Sequence, residues 1–146
     1  GQDVLLHNTR PMQVGPEIHE LLTPPRTIRV PTLGAYVLQK GIASSSRTQP
    51  SKEAKDLVYI YEIVRHPTLG AQAMAQVREL RSRYPDEYVL WKRALSIATA
   101  TRATMRNISD ELILSGRGRG APEDITSSVS TWLRRLVAES EAPDAG

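Results

Sequence analysis

The feature that most constrains this chain is a change of hydrophobic period at Thr32. Before it, "RPMQVGPEIHELLTPP" is cut by Pro11, Gly15, Pro16, Pro24 and Pro25, which leaves room for one short helix at most, "EIHELL", with Pro16 near its first turn. After it, apolar residues recur at spacings of three and four through most of the remaining chain, the signature of amphipathic helices. Such a chain closes its core by packing helix on helix. With five Tyr, two Trp and no Phe, that core is expected to be aliphatic. The expected fold is therefore mostly α: a helical bundle with one or two short β-strands at the N-terminus.

The strands are expected in "DVLLH", a short apolar run, and in "RTIRVP", which alternates and stops at a proline as an edge strand does. One or two strands do not make a stable sheet alone. They suit the last strands of a sheet whose earlier strands precede Gly1, in which case the chain is a piece of something longer; the other reading is a derived, non-catalytic protein. Three segments follow: 1–31 as the end of an α/β core, 32–140 as a helical domain, and 141–146, "EAPDAG", as a disordered tail.

Helical boundaries are marked by caps and breakers. Thr32 caps a helix over "LGAYVLQKGIAS", with Leu33, Tyr36, Val37 and Lys40 on one face. "SSSRTQP" reads as a loop. Ser51 caps "KEAKDLVYIYEIVRH", whose apolar stripe is Leu57, Ile60, Tyr61 and Val64, and His66 closes that helix before Pro67. "TLGAQAMAQVRELRSRYP" buries Met74, Val77 and Leu80 and gathers Arg78, Arg81 and Arg83 at its end, where cations suit the macrodipole. "DEYVLWKRALSIATATRATM" is a fourth helix, and "NISDELILS" is ambiguous. "GRGRG" is a flexible basic loop. Pro122 opens a last helix that buries Ile125, Val129, Trp132, Leu133 and Leu136.

Several functions are excluded or disfavoured. There is no cysteine, so disulfides, thiol nucleophiles and Cys-bound zinc are out, and a reducing cytoplasm is the expected setting. No apolar run reaches the roughly 18 residues of a membrane span, and "GQDVLLHNTR" does not read as a signal peptide. His7, His19 and His66 are too dispersed for a predicted metal site. No phosphate-loop or serine-nucleophile motif occurs. Nineteen Lys and Arg against 16 Asp and Glu give +3, too mild to argue for nucleic acid by itself.

The informative cluster lies between residues 40 and 56. A lysine on an inward helix face needs an anion, because an unpaired buried charge is costly. Asp56 supplies one if the two helices form a hairpin. Lys52, Lys55 and Asp56 stand at i, i+3 and i+4, on one side of the second helix, and Arg47 sits between the helices. Two readings stay open: a cationic pocket for phosphate in which Asp56 aims Lys40, or a structural ion pair with the other cations solvated.

"VPTLGAYVLQK", then Arg47, then "KEAKDLVYIYEIV" resembles the C-terminal half of minimal bacterial nucleotidyltransferase-fold proteins, the AbiEii-type toxin family and its relatives. There a proline-led segment enters a helix ending in a lysine. A basic loop and a Lys/Arg-Asp-Leu signature follow. The matching positions are Val30, Pro31, Ala35, Tyr36, Leu38, Lys40, Arg47, Lys52, Lys55, Asp56 and Leu57, within residues 26 to 66. The resemblance implies that the strands end a nucleotidyltransferase sheet, and that Lys40, Arg47, Lys52 and Lys55 bind nucleotide phosphates. It implies a catalytic or supporting Asp56, with Mg2+ and a nucleoside triphosphate bound in the intact protein. An RNA or protein acceptor and a toxin–antitoxin setting are part of the same implication. The chain departs from the family in lacking Gly-Ser followed by Asp-x-Asp or Asp-x-Glu, the carboxylates that hold two metal ions around a triphosphate. Alone it is expected to bind no metal and transfer nothing. Asp3, on a strand-like segment, is either a third carboxylate or, as is commoner, a strand-end surface residue. The alternative is a non-catalytic helical module for nucleic acid or protein, with Arg117 and Arg119 leading a basic face that also includes Arg102, Arg106, Arg134 and Arg135.

Overall fold

The computed structural model describes residues 2–21 and 23–143, apart from the side chains of Gln2 and Asp3. Among these residues there are seven helices and one two-stranded sheet, in the order α1 (Gln2–His7), β1 (Thr9–Val14), β2 (Arg26–Pro31), α2 (Leu33–Ser45), α3 (Pro50–Arg65), α4 (Pro67–Arg83), α5 (Pro85–Ala100), α6 (Arg102–Leu114) and α7 (Pro122–Glu141). The mostly α architecture with short N-terminal strands is as expected. Its breakpoints follow the prolines, with Pro50, Pro67, Pro85 and Pro122 each opening a helix. Proline fits there because its fixed φ is helical and its missing N–H is one that a first turn leaves unpaired anyway.

The front of the chain differs from its sequence reading. "DVLLH" is part of helix α1, not a strand, and Val4 is fully buried in the helical core. Asp3 therefore lies on a helical backbone and not on a strand; its side chain is outside the described residues. β1, which the prolines had obscured, pairs antiparallel with β2 from Thr9↔Pro31 to Val14↔Arg26. Pro11 is accommodated because the ribbon has only two strands, so an N–H facing away from the partner has no ladder to join. The described part of "EIHELL", residues 17–21, forms turns at Pro16–Ile18 and Glu20–Leu21, not a helix. The ribbon is largely exposed. It is joined to the helices through Asn8, whose side-chain amide donates to the Tyr84 hydroxyl at 3.1 Å and whose carbonyl accepts from Thr32.

α2 packs against α1, α3, α4 and α5. Its buried stripe is Gly34, Val37, Leu38, Gly41 and Ser44, rotated from the Leu33–Tyr36–Val37–Lys40 face read from hydrophobicity. The rotation has a steric cause. At Gly41 a Cβ would stand 2.4 Å from Trp91 Cδ1, so only glycine lets the α2 backbone meet the indole. Trp91 of α5 is completely buried there. A periodicity argument that scores apolar side chains does not see a contact made by the absence of one.

The long fourth helix is two helices. Thr101 is extended (φ −101°, ψ 110°) and separates α5 from α6. The Thr99 and Thr101 hydroxyls donate to the carbonyls of Leu95 and Ile97, four residues back, an arrangement that bends helices and weakens their continuation. α6 buries Met105, Ile108 and Leu112, so the ambiguous "NISDELILS" belongs to its second half. α7 buries Ile125, Val129, Leu133 and Leu136, with Trp132 partly covered. Residues 144–146 of the expected tail are outside the described residues.

Gly41→Ala should lower stability by about 2 kcal/mol, the order found when a packed core is asked to accept an extra carbon. Thermal unfolding followed by circular dichroism checks this. An unchanged midpoint would show that α2 and Trp91 separate at no cost.

Candidate functional site

Asp56 sits mid-helix on α3, 3% exposed, although its neighbours Lys52 and Lys55 are on the surface. It is buried because it stands in the stripe that α3 turns toward α2, beside Leu57 and Ile60. Lys40 Nζ donates to Asp56 Oδ1 at 3.2 Å. Arg47 Nε donates to Oδ2 at 2.8 Å, with Nη2 at 3.5 Å from Oδ1. Both carboxylate oxygens are thus engaged by cations from two places, the body of α2 and the α2–α3 connection.

The connection is built to deliver Arg47. Ser44, Ser45 and Ser46 donate their hydroxyls to the carbonyls of Gly41, Ile42 and Ala43, at 2.7, 2.7 and 2.9 Å. Ser44 and Ser45 are the last residues of α2 and Ser46 is its C-cap, so the expected loop begins two residues late. Their hydroxyls terminate the helix, which leaves Arg47 one residue past the cap. The start of α3 also differs: its N-cap is Gln49, with Pro50 in the first turn, and Ser51 lies inside the helix. Asp56 is one turn too deep to serve the free N–H groups of that end.

Lys40 lies between two tyrosine rings, 5.6 Å from the centroid of Tyr36 and 5.4 Å from that of Tyr59, both within cation–π range. Tyr59 was not singled out from the sequence. Its signal was there: it stands three residues after Asp56, as Tyr36 stands four before Lys40, so each shares a helix face with its charged partner. Burial pushes the Tyr36 phenol above its ordinary value near 10, while Lys40 pulls it the other way. The hydrogen bond and charge of Asp56 raise the Arg47 guanidinium further above an already high value, so it is charged at every accessible pH.

Two cations against one anion leave a net positive charge in a cluster that reaches solvent, the Lys40 and Arg47 side chains being 26% and 38% exposed. Lys40 has three ammonium donors, and one is spent on Asp56. Lys52 stands one turn before Asp56 on the same side of α3. Lys55 does not share that side, contrary to expectation: it is adjacent in sequence to Asp56, hence about 100° round the helix from it, and is exposed where Asp56 is buried. Neither makes an ion pair among the described residues. The arrangement can hold an anion at its rim. It cannot use Asp56 as a free base, since both oxygens already accept from charged donors. Among the described residues no group of three or more His, Asp or Glu side chains is placed to hold a metal ion.

The other candidates lie apart. Arg117 Nη1 is paired with Glu62 at 2.7 Å, and its Nε donates to Ser115. The loop that carries it is not loose. The Gly116 N–H bonds to the Ile113 carbonyl and the Arg117 N–H to that of Leu112, the Schellman ending of α6, with Gly116 at φ 72°. Arg119 is exposed and unpaired among the described residues, and lines a cavity of about 210 Å3 with Arg65, Arg117 and Ser128. Arg78 and Arg81 do not serve their own helix end. They donate to the carbonyls of Glu139 and Ser140 at the end of α7, at 2.9 and 2.7 Å. Arg135 bonds Glu139 and Arg134 bonds the Thr99 carbonyl. His66 ends α3 through its backbone N–H, and its Nδ1 accepts from Thr68 and Leu69 to open α4.

No protein-family model matches the chain, nor does any characterised protein or solved structure. No helix among the described residues is long and apolar enough to cross a membrane.

Lys40→Met should cost about 2 kcal/mol of stability, because it leaves a buried carboxylate with one partner. In an Asp56→Asn background the same change should cost much less. Denaturant unfolding of the four proteins checks the coupling, and equal costs in both backgrounds would refute it. A second test uses pH. Since folding raises the Tyr36 pKa, its contribution to stability is complete below the ordinary phenol value and fades as pH climbs past it. Stability should therefore fall above pH 10, and Tyr36→Phe should flatten that fall.

Proposed function

We propose that this chain is the helical C-terminal part of a nucleotidyltransferase-like protein, and that the Lys40–Arg47–Asp56 cluster meets the phosphates of a nucleoside triphosphate. The observation that carries the reading is the convergence itself. Three residues of the sequence signature, spread over 17 positions, meet around one buried carboxylate with a positive charge left over. Asp56 is then a positioning residue: it fixes the ammonium and the guanidinium so that their remaining donors point at one place. Lys52, one turn away, adds a second charge for a chain of phosphates. Lys55 is left to a more distant phosphate or to solvent.

The residues present do not fit the Mg2+ that the family uses. Asp56 is already neutralised, and the sequence has no Asp-x-Asp or Asp-x-Glu. Metal ligation and the transfer step belong, on this reading, to another part of the protein, beside which the β1–β2 ribbon would add to a sheet. A cytoplasmic setting goes with a nucleoside-triphosphate ligand, and an RNA or protein acceptor with the transfer. The second reading, a non-catalytic binding module led by Arg117 and Arg119, is favoured by the open side chains of Arg119, Arg102 and Arg106 and weakened by Arg117, which is committed to Glu62.

Titration of the isotope-labelled chain with ATP, CTP, GTP and UTP tests the proposal. At least one should shift amide resonances between residues 36 and 59, and Lys40→Ala should weaken that binding by about tenfold, the worth of one charge-assisted hydrogen bond. No shift in this region at 10-mM-scale nucleotide, or shifts indifferent to Lys40→Ala, would overturn it.

A further inference from the structure

A wide, open groove lies away from this cluster, between α6 and α7 where α5 ends, with a volume of about 690 Å3. That is within the roughly 300–1,000 Å3 of small-ligand sites. It shares no residue with the Lys40 cluster.

Its lining has three chemical parts. Arg102 and Arg106, at i and i+4 on α6, give it a cationic wall. Both are exposed, and neither makes a hydrogen bond or ion pair among the described residues. This sets them apart from Arg78, Arg81, Arg83, Arg117, Arg134 and Arg135, all of which are bonded to protein oxygens. A guanidinium fork left open on a cavity wall matches phosphate geometry. From α7 come the hydroxyls of Thr126, Ser127 and Ser130. Thr126 donates to the Pro122 carbonyl at 2.8 Å, which leaves its lone pairs to accept. Ala100 and Pro122, both exposed, supply apolar surface, with buried Met105 beneath. Glu123, also on the lining, subtracts one charge from the two arginines and leaves a net positive groove.

We propose that the α6–α7 groove binds a nucleotide unit, with its phosphate on Arg102 and Arg106, its sugar hydroxyls against Ser127 and Ser130, and its base over Ala100 and Pro122. Each part of the lining finds a counterpart in that ligand, and a bare anion would use only the first. The unit could come from a free mononucleotide or from one residue of a single strand, and the chemistry is shared. This site is independent of the Lys40 reading, and neither depends on the other for its test.

The experiment is an amide-resonance and calorimetric titration of the chain with AMP, adenosine, inorganic phosphate and a five-residue oligoadenylate. AMP should shift resonances in 99–109 and 122–130. Arg102→Ala/Arg106→Ala should weaken it by at least about tenfold, as loss of charge-assisted bonds does. Both arginines are on the surface, so the double variant should fold; its circular dichroism serves as the control. Adenosine should bind more weakly than AMP by a similar factor. Tighter binding of the oligonucleotide than of AMP would identify a single strand as the source, and equal or weaker binding a free mononucleotide; either supports the site. Binding of phosphate as tight as that of AMP would overturn the nucleotide assignment. No binding of AMP or oligonucleotide, or binding indifferent to the double variant, would overturn the site altogether.

Discussion

A carboxylate held almost entirely out of water governs how the front helices meet. Asp56 cannot stand in the α2–α3 interface without compensation, because an isolated buried charge costs more than a small domain has to give. Lys40 and Arg47 reach it from opposite ends of the same stretch of chain, one from the helix and one from beyond its cap. Their simultaneous contact fixes both the rotation of α2 against α3 and the length of the connection. An apolar pair would tolerate sliding; a carboxylate with two directional partners does not. The ion cluster thus acts as a register mark between two helices, the role for which buried charges are best attested.

The same constraint explains why the seam is asymmetric. On its inner side α2 offers glycine and small residues to Trp91 and α4, and on its outer side it carries Tyr36 and Lys40. Lys40 is therefore at the margin of the core, where its stem is covered and its head is partly wet. That position lets the charge hold its partner while part of the ammonium stays in water. Tyr36 and Tyr59 flank it and limit the directions in which the ammonium can turn.

Much of this was legible in the sequence. The α3 stripe, the α4 stripe and the α7 stripe lie where the periodicity put them, and Lys40 does reach Asp56. What was hidden has identifiable physics. The α2 stripe was misplaced because Gly34 and Gly41 bury backbone and add nothing to a hydrophobic count. The break at Thr101 was missed because it depends on hydroxyls bonding to carbonyls one turn back, which composition does not show. α1 passed for a strand since six residues fit either period. β1 was concealed by Pro11, which is harmless only in a ribbon with no third strand. The destination of Arg78 and Arg81 was invisible, since it lies some 60 residues further along the chain.

That last contact has a wider consequence. The corner between α4 and α5 receives both extremities of the helical body. Asn8, following α1, is bonded there by Arg83 and Tyr84, and the end of α7 is bonded by Arg78, Arg81 and, through the hydroxyl of Ser140, by Tyr88. Stacked helical arrays peel from their ends one unit at a time, because each unit touches only its neighbours. Here the first and last helices lean on a single central corner, so loosening either one withdraws support from the middle. These contacts tie the helical body together through one corner, while the β1–β2 ribbon is largely exposed.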